Sequence, residues 1–80
     1  MNMLIEQEIK TIIAETLKVP LEIIVDDLCI GDIPQWDSLG HMMLMGALAK
    51  HFGIVFHREE MTDLEDVSDI ISLVSEKLGH

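Results

Sequence analysis

The sequence predicts an all-α fold: three main amphipathic helices and one short turn near Met61, closed around a small core, with a long connection between the first two helices. Three observations carry this. Apolar residues recur with a 3.6-residue period in three separate segments. Pro20, Gly53 and Gly79 stand where those segments should stop. Only Ile23-Ile24-Val25 has the look of a strand, and no second strand is available to pair with it. Three apolar stripes can close one bundle core, and 80 residues make a single domain, 1–80.

The first helix spans 3–18. Ile5, Ile9, Ile12, Ile13 and Leu17 share one face, while Glu6, Glu8, Lys10, Glu15 and Lys18 take the other. Asn2 is a suitable cap, and Pro20 pushes the residue before it out of the α region. Residues 19–37 form the long connection. Its apolar points, from Leu21 through Ile33, are expected to pack over the core, with one helical turn near Leu21–Ile24. Asp26, Asp27 and Asp32 lack the alternating oxygens, central glycine and closing glutamate of a calcium loop. They read as a solvated acidic loop.

The second helix spans 38–52, capped by Asp37 or Ser38. Leu44, Met45, Leu48 and Phe52 form its core stripe. Leu39, Met42, Met43, Gly46, Ala47 and Ala49 are also apolar or small, and most fall outside that stripe. A helix apolar nearly all round is either wholly buried or binds something. Complete burial is hard in so small a domain, so part of this face, including Met42 and Met43, is expected to meet partners. Gly53 ends the helix. Met61–Leu64 is expected to make one short turn. Asp66 caps the last helix, where Val67, Ile70, Ile71, Val74 and Leu78 hold the apolar spacing and Lys77 lies near the end.

The formal net charge is −10. That argues against nucleic acid, whose binding needs Lys and Arg at phosphates, and against an anionic membrane surface. No apolar run approaches the ~20 residues of a membrane span, and no signal peptide is visible. A soluble cytoplasmic protein is expected. Cys29 stands alone, so no internal disulfide can form. The charge is unevenly spread. Residues 1–38 hold eight acids and two lysines, and residues 59–80 hold seven acids and Lys77. Residues 39–58 hold no acid, with Lys50 and Arg58.

Ser38, His41 and Asp37 are the residue types of a hydrolase triad, but Asp37 adjoins Ser38 and has no evident way to orient the far nitrogen of His41. No G-x-S-x-G elbow is present. His41 is expected to be a partly exposed surface side chain. His41, His51, His57 and Cys29 do not have zinc spacing. Ser38 is of interest for another reason. It opens a helix, where free amides and the macrodipole favour negative charge. It is a plain cap, or it is an attachment point for a phosphodiester whose field Asp37 would tune.

Asp37-Ser38-Leu39, opening an apolar helix that ends in Phe52-Gly53-Ile54, resembles the attachment motif of acyl carrier proteins. The likeness in order and spacing runs across nearly the whole chain. It implies a four-helix bundle, three main helices plus a short third helix, with a long loop between the first and second. It implies 4'-phosphopantetheine carried covalently on Ser38, placed there from coenzyme A by a phosphopantetheinyl transferase with magnesium; Asp37, one residue back, is placed to help the transferase hold the ion. Acyl or aminoacyl groups would ride on the arm as thioesters. The implied partners are an acyl- or aminoacyl-loading enzyme and a downstream acyltransferase or synthase, met through Leu39, Met43 and Gly46. The protein itself would catalyse nothing and would be a monomer.

Two features depart from the fatty-acid members of that family. Met43, Ala49, Lys50 and His51 stand where acids are expected, and Trp36 stands where a glycine is common. The run Trp36–His41 looks more like discrete carriers of polyketide, nonribosomal peptide or surface-polysaccharide pathways. The alternative is a non-catalytic helical interaction module without the prosthetic group.

Overall fold

The computed structural model describes residues 3–79. They form α1 (Met3–Leu17), a 3-10 turn (Leu21–Ile23), α2 (Ser38–Phe52), α3 (Arg58–Asp63) and α4 (Val67–Lys77). The expected four-helix architecture, with a short third helix and a long first loop, is the one observed. The Asn2 cap lies outside the described residues.

α1 buries Ile5, Ile9, Ile13, Ala14 and Leu17, and Ile12 is half-buried. It ends at Leu17, before Pro20 can act. Lys18 takes the left-handed conformation (φ 60°), and the Val19 amide reaches back to the Ala14 carbonyl at 3.0 Å. This closure normally uses glycine. The 3-10 turn lies at the expected place, and Ile24 after it is buried.

The rest of the loop is stitched to the connection between α3 and α4. Cys29 and Asp66 form an isolated antiparallel bridge. The Ile30 amide donates to the Glu65 carbonyl and the Val67 amide to the Leu28 carbonyl, each at 3.0 Å. Asp26 pairs with Lys10 at 2.8 Å, and Asp32 accepts from the Cys29 amide at 2.8 Å. Two acids of the loop thus have structural partners of their own.

α2 and α4 complete the core with Leu44, Met45, Leu48, Val67, Ile70, Ile71 and Val74. Gly53 closes α2 in the left-handed region, as its position predicts. Asp66 caps α4 by accepting from the Asp69 amide at 2.8 Å. The short helix corrects the sequence reading: it begins at Arg58, not Met61. Glu60 fixes that start. Its carboxylate accepts from the His57 amide at 2.8 Å and pairs with Lys77 at 2.9 Å, which ties α3 to the last turn of α4.

Candidate functional site

Ser38 is the first residue of α2, and it is exposed. The capping role belongs to Asp37, whose Oδ1 accepts from the Gly40 amide at 2.8 Å. The first intrahelical bond runs from the His41 amide to the Asp37 carbonyl at 2.8 Å. Ser38 is therefore spared the work of a cap. The amides of Ser38 and Leu39 have no carbonyl within the helix to donate to, so an anion on the Ser38 hydroxyl would meet the positive end of α2.

Three neighbours hold this helix end in place. Gly40 is buried, and a Cβ there would run into the Gln35 carbonyl and press on Leu17 and Asp37. Glycine lets the loop backbone lie directly against the first turn. Trp36 is fully buried, and its indole N–H donates to His41 Nδ1 at 3.1 Å. Since Nδ1 accepts, the proton of the neutral ring sits on Nε2, which donates to the Met61 carbonyl at 3.0 Å.

His41 thus corrects another expectation. It is only 7% exposed, and it links the loop, α2 and α3. The same bonds dispose of a triad, because both ring nitrogens are committed away from Ser38 and Asp37 is a cap. The signal was present in the sequence. Gly40 and His41 lie one turn before Leu44 and Met45, so the core stripe extends back to the start of the helix.

Beside Ser38 opens a cavity of about 210 Å³, lined by Ile30, His41, Met42, Met61 and Leu64 among others. A second, of about 320 Å³, shares Met42 and Met61 with it and continues between α2 and α3 to Gly46, Val55 and Phe56. Together they form an apolar groove leading away from the serine. On the outer face of α2, Leu39, Met42, Met43 and Gly46 are exposed, so the two methionines are surface residues, as expected.

The other candidates stay apart. His51 pairs with Glu8 at 2.9 Å across α1 and α2, and His57 caps α3. Among the described residues, no three His, Cys, Asp or Glu side chains gather closely enough to share a metal ion. Desolvation first, and then the charges of Asp32, Asp66, Glu65 and Asp27, push the Cys29 thiol above its ordinary value, which leaves it a poor nucleophile. No described helix is long and apolar enough to cross a membrane.

No protein-family model matches the chain. It is similar to the acyl carrier protein of Thermosynechococcus vestitus, 30% identical over 73 residues that cover 91% of this chain and 90% of that one. It is similar also to the acyl carrier protein of Petrotoga mobilis, 32% identical over 73 residues covering 91% and 86%. Among solved structures, the solution structure of a holo acyl carrier protein from Geobacter metallireducens superposes with a TM-score of 0.83 at 30% identity, covering 92% of this chain and 85% of that one.

Proposed function

The chain belongs to the acyl carrier protein family, whose members are carriers rather than catalysts, and we propose that Ser38 is the residue on which it carries a phosphopantetheine arm. One observation supports this above the rest: the serine that opens α2 is exposed and unburdened, because Asp37 does the capping. The residues around it suit the group. Free amides face the place of a phosphodiester, and the groove from Ile30 to Phe56 suits an uncharged chain. When attached, the arm supplies a terminal thiol that holds cargo as a thioester.

The chain's own residues present, orient and shelter. Ser38 offers its hydroxyl to a phosphopantetheinyl transferase, which supplies the base and the magnesium, with Asp37 one residue away to help hold the ion. Trp36, Gly40 and His41 hold the helix end in place, and Ser38 stands exposed on it. The tether raises the effective concentration of cargo at each partner's active site. Those partners are a loading enzyme for acyl or aminoacyl groups and a downstream acyltransferase or synthase. The acid-free α2 and Trp36 favour a specialised pathway, making a polyketide, a nonribosomal peptide or a surface polysaccharide. A cytoplasmic setting goes with this reading.

The test is direct. Apo protein, coenzyme A, magnesium and a broad-specificity transferase should give a mass increase that maps to Ser38 and is absent from Ser38→Ala. No change in the native chain, under conditions that convert a control carrier, would sink the proposal. Intact mass of protein from its own host would then identify the cargo. The exposed apolar face of α2 also favours a second reading, a docking module without an arm. A stable complex that survives Ser38→Ala, with no modification in cells, would select that one.

A further inference from the structure

Among the described residues, His41 alone of the ionisable side chains is buried, and holding an arm on Ser38 gives its charge no part. Its bonds do give it one. α3 has only six residues, too short a helix to be stable unaided. Side-chain ties hold it on both sides. Glu60 pairs with Lys77 of α4 at 2.9 Å, and His41 Nε2 of α2 donates to the Met61 carbonyl at 3.0 Å. The His41 ring is held in turn by the Trp36 indole N–H at 3.1 Å, the two rings lying 6.2 Å apart and 27° from parallel.

This chain of bonds works only while the ring is neutral, because Nδ1 has to accept from the indole. A proton on Nδ1 turns the acceptor into a donor and sets N–H against N–H. Nothing around the ring offsets the charge. The cavity it borders is lined by Ile30 from the loop, Ser38 and Met42 from α2, Met61 and Thr62 from α3, and Leu64 beyond it. None of these is charged. The acids of the same elements are engaged or turned to solvent: Asp37 holds the Gly40 amide, Asp32 the Cys29 amide and Glu60 Lys77, while Glu59 and Asp63 are exposed. His57 and Arg58, at the start of α3, are exposed as well. A buried charge without a partner is costly. The relief open to the ring is to move into the cavity of about 210 Å³ beside Ser38, toward water. The bond to Met61 is then lost.

We propose that His41 is a proton-operated latch. Neutral, it seats α3 against the loop and α2; protonated, it releases α3 and opens the groove that runs from Ser38 to Phe56. The latch stands on these contacts alone. Its use, the release in mild acid of an uncharged chain sheltered beside the arm, rests on the carrier reading.

Trp36 is the only tryptophan and is fully buried, so it reports the latch without a label. The experiment follows acrylamide quenching of its emission in the chain without an arm, from about pH 8 to about pH 5, and the NMR shifts of the His41 ring nitrogens over the same range. The quenching constant should rise roughly 3-fold across the range in which histidine changes charge, with the midpoint of the His41 ring itself. The Glu60 and Asp66 carboxyls, held below their ordinary values, titrate outside this window. His41→Gln keeps an acceptor for the indole and a donor for the Met61 carbonyl but cannot titrate, and its quenching should stay low and flat. His51→Gln, which removes the exposed pair with Glu8, and His57→Asn at the α3 cap should both keep the step. A step that persists in His41→Gln, or vanishes in His57→Asn, overturns the latch. So does a His41 ring that takes up its proton with no change at Trp36, or that stays neutral to about pH 5. Should circular dichroism show that His41→Gln does not fold, the native chain decides: a shared midpoint for ring and indole supports the latch, and separate midpoints overturn it. Ser38 modification is read separately by mass, and its failure would overturn the release of cargo while leaving the latch standing.

Discussion

His41 occupies the buried side of α2 one turn before Met45, with the Trp36 indole on one ring nitrogen and the Met61 carbonyl on the other. Trp36→Phe keeps most of the ring's bulk but removes the indole N–H. It leaves Nδ1 buried without a donor, which should cost about 1–3 kcal/mol. Pairing it with His41→Leu removes both polar partners and should recover much of that loss, so a double-mutant cycle read by urea unfolding should show clear coupling. Strict additivity would mean that the Trp36–His41 bond contributes nothing. The pair was half legible in the sequence. Extending the stripe of Leu44, Met45 and Leu48 back by one turn reaches Gly40 and His41. That the ring is satisfied by a tryptophan five residues earlier depends on how the loop folds back, and no period in the sequence reports it.

At the scale of the elements, α3 and α4 are held by carboxylates. The His57 amide, then Lys77, holds the Glu60 carboxyl below its ordinary value. The Asp69 amide, then the Ser68 hydroxyl, does the same for Asp66. A carboxyl whose folded value is depressed binds protons more weakly than in the unfolded chain. Its contribution is present in full above the ordinary carboxylate range and is lost as pH falls through the lowered folded value. The α3–α4 end should therefore loosen first in acid. Asp66→Asn still offers an oxygen to the helix end but cannot titrate. Its unfolding midpoint should fall less steeply between pH 5 and pH 2 (roughly the range of carboxylate titration) than that of the native chain, and acid-induced exchange of the Asp69 amide should be blunted. An unchanged acid limb in Asp66→Asn would show that the cap is not what titrates. The start of α4 was readable because Asp66 precedes an apolar period. α3 was readable only in part: its six residues hold no period, and a histidine rarely marks a helix start. The spacing of His57 to Glu60 was the available signal.

At the scale of the molecule, fifteen acids face five lysines and arginines around one small core. Lys10–Asp26, Lys77–Glu60 and His51–Glu8 engage only three of those acids. All three pairs lie at least partly in solvent, where such a pair contributes ~0–1 kcal/mol. The remaining like charges repel one another in the compact state more than in the extended chain. The layout of the charge, with an acid-free segment between two acidic ones, was plain from the sequence. That part of this segment faces outward on α2 was expected as well; the α2–α3 groove beside it was not, because its position depends on where a six-residue helix is tied down by Lys77 and His41. Salt weakens the ion pairs and the repulsion together, and the repulsion outweighs the pairs because most acids have no ion-pair partner among the described residues. Raising NaCl from ~20 mM to ~0.5 M, which shortens the Debye length from roughly 20 Å to roughly 4 Å, should therefore raise the urea midpoint at pH 7. Sulfate at equal ionic strength should raise it further, through its added effect on apolar burial. A midpoint that falls with NaCl would mean that the three ion pairs outweigh the repulsion, and that the acidic flanks stabilise the fold rather than strain it.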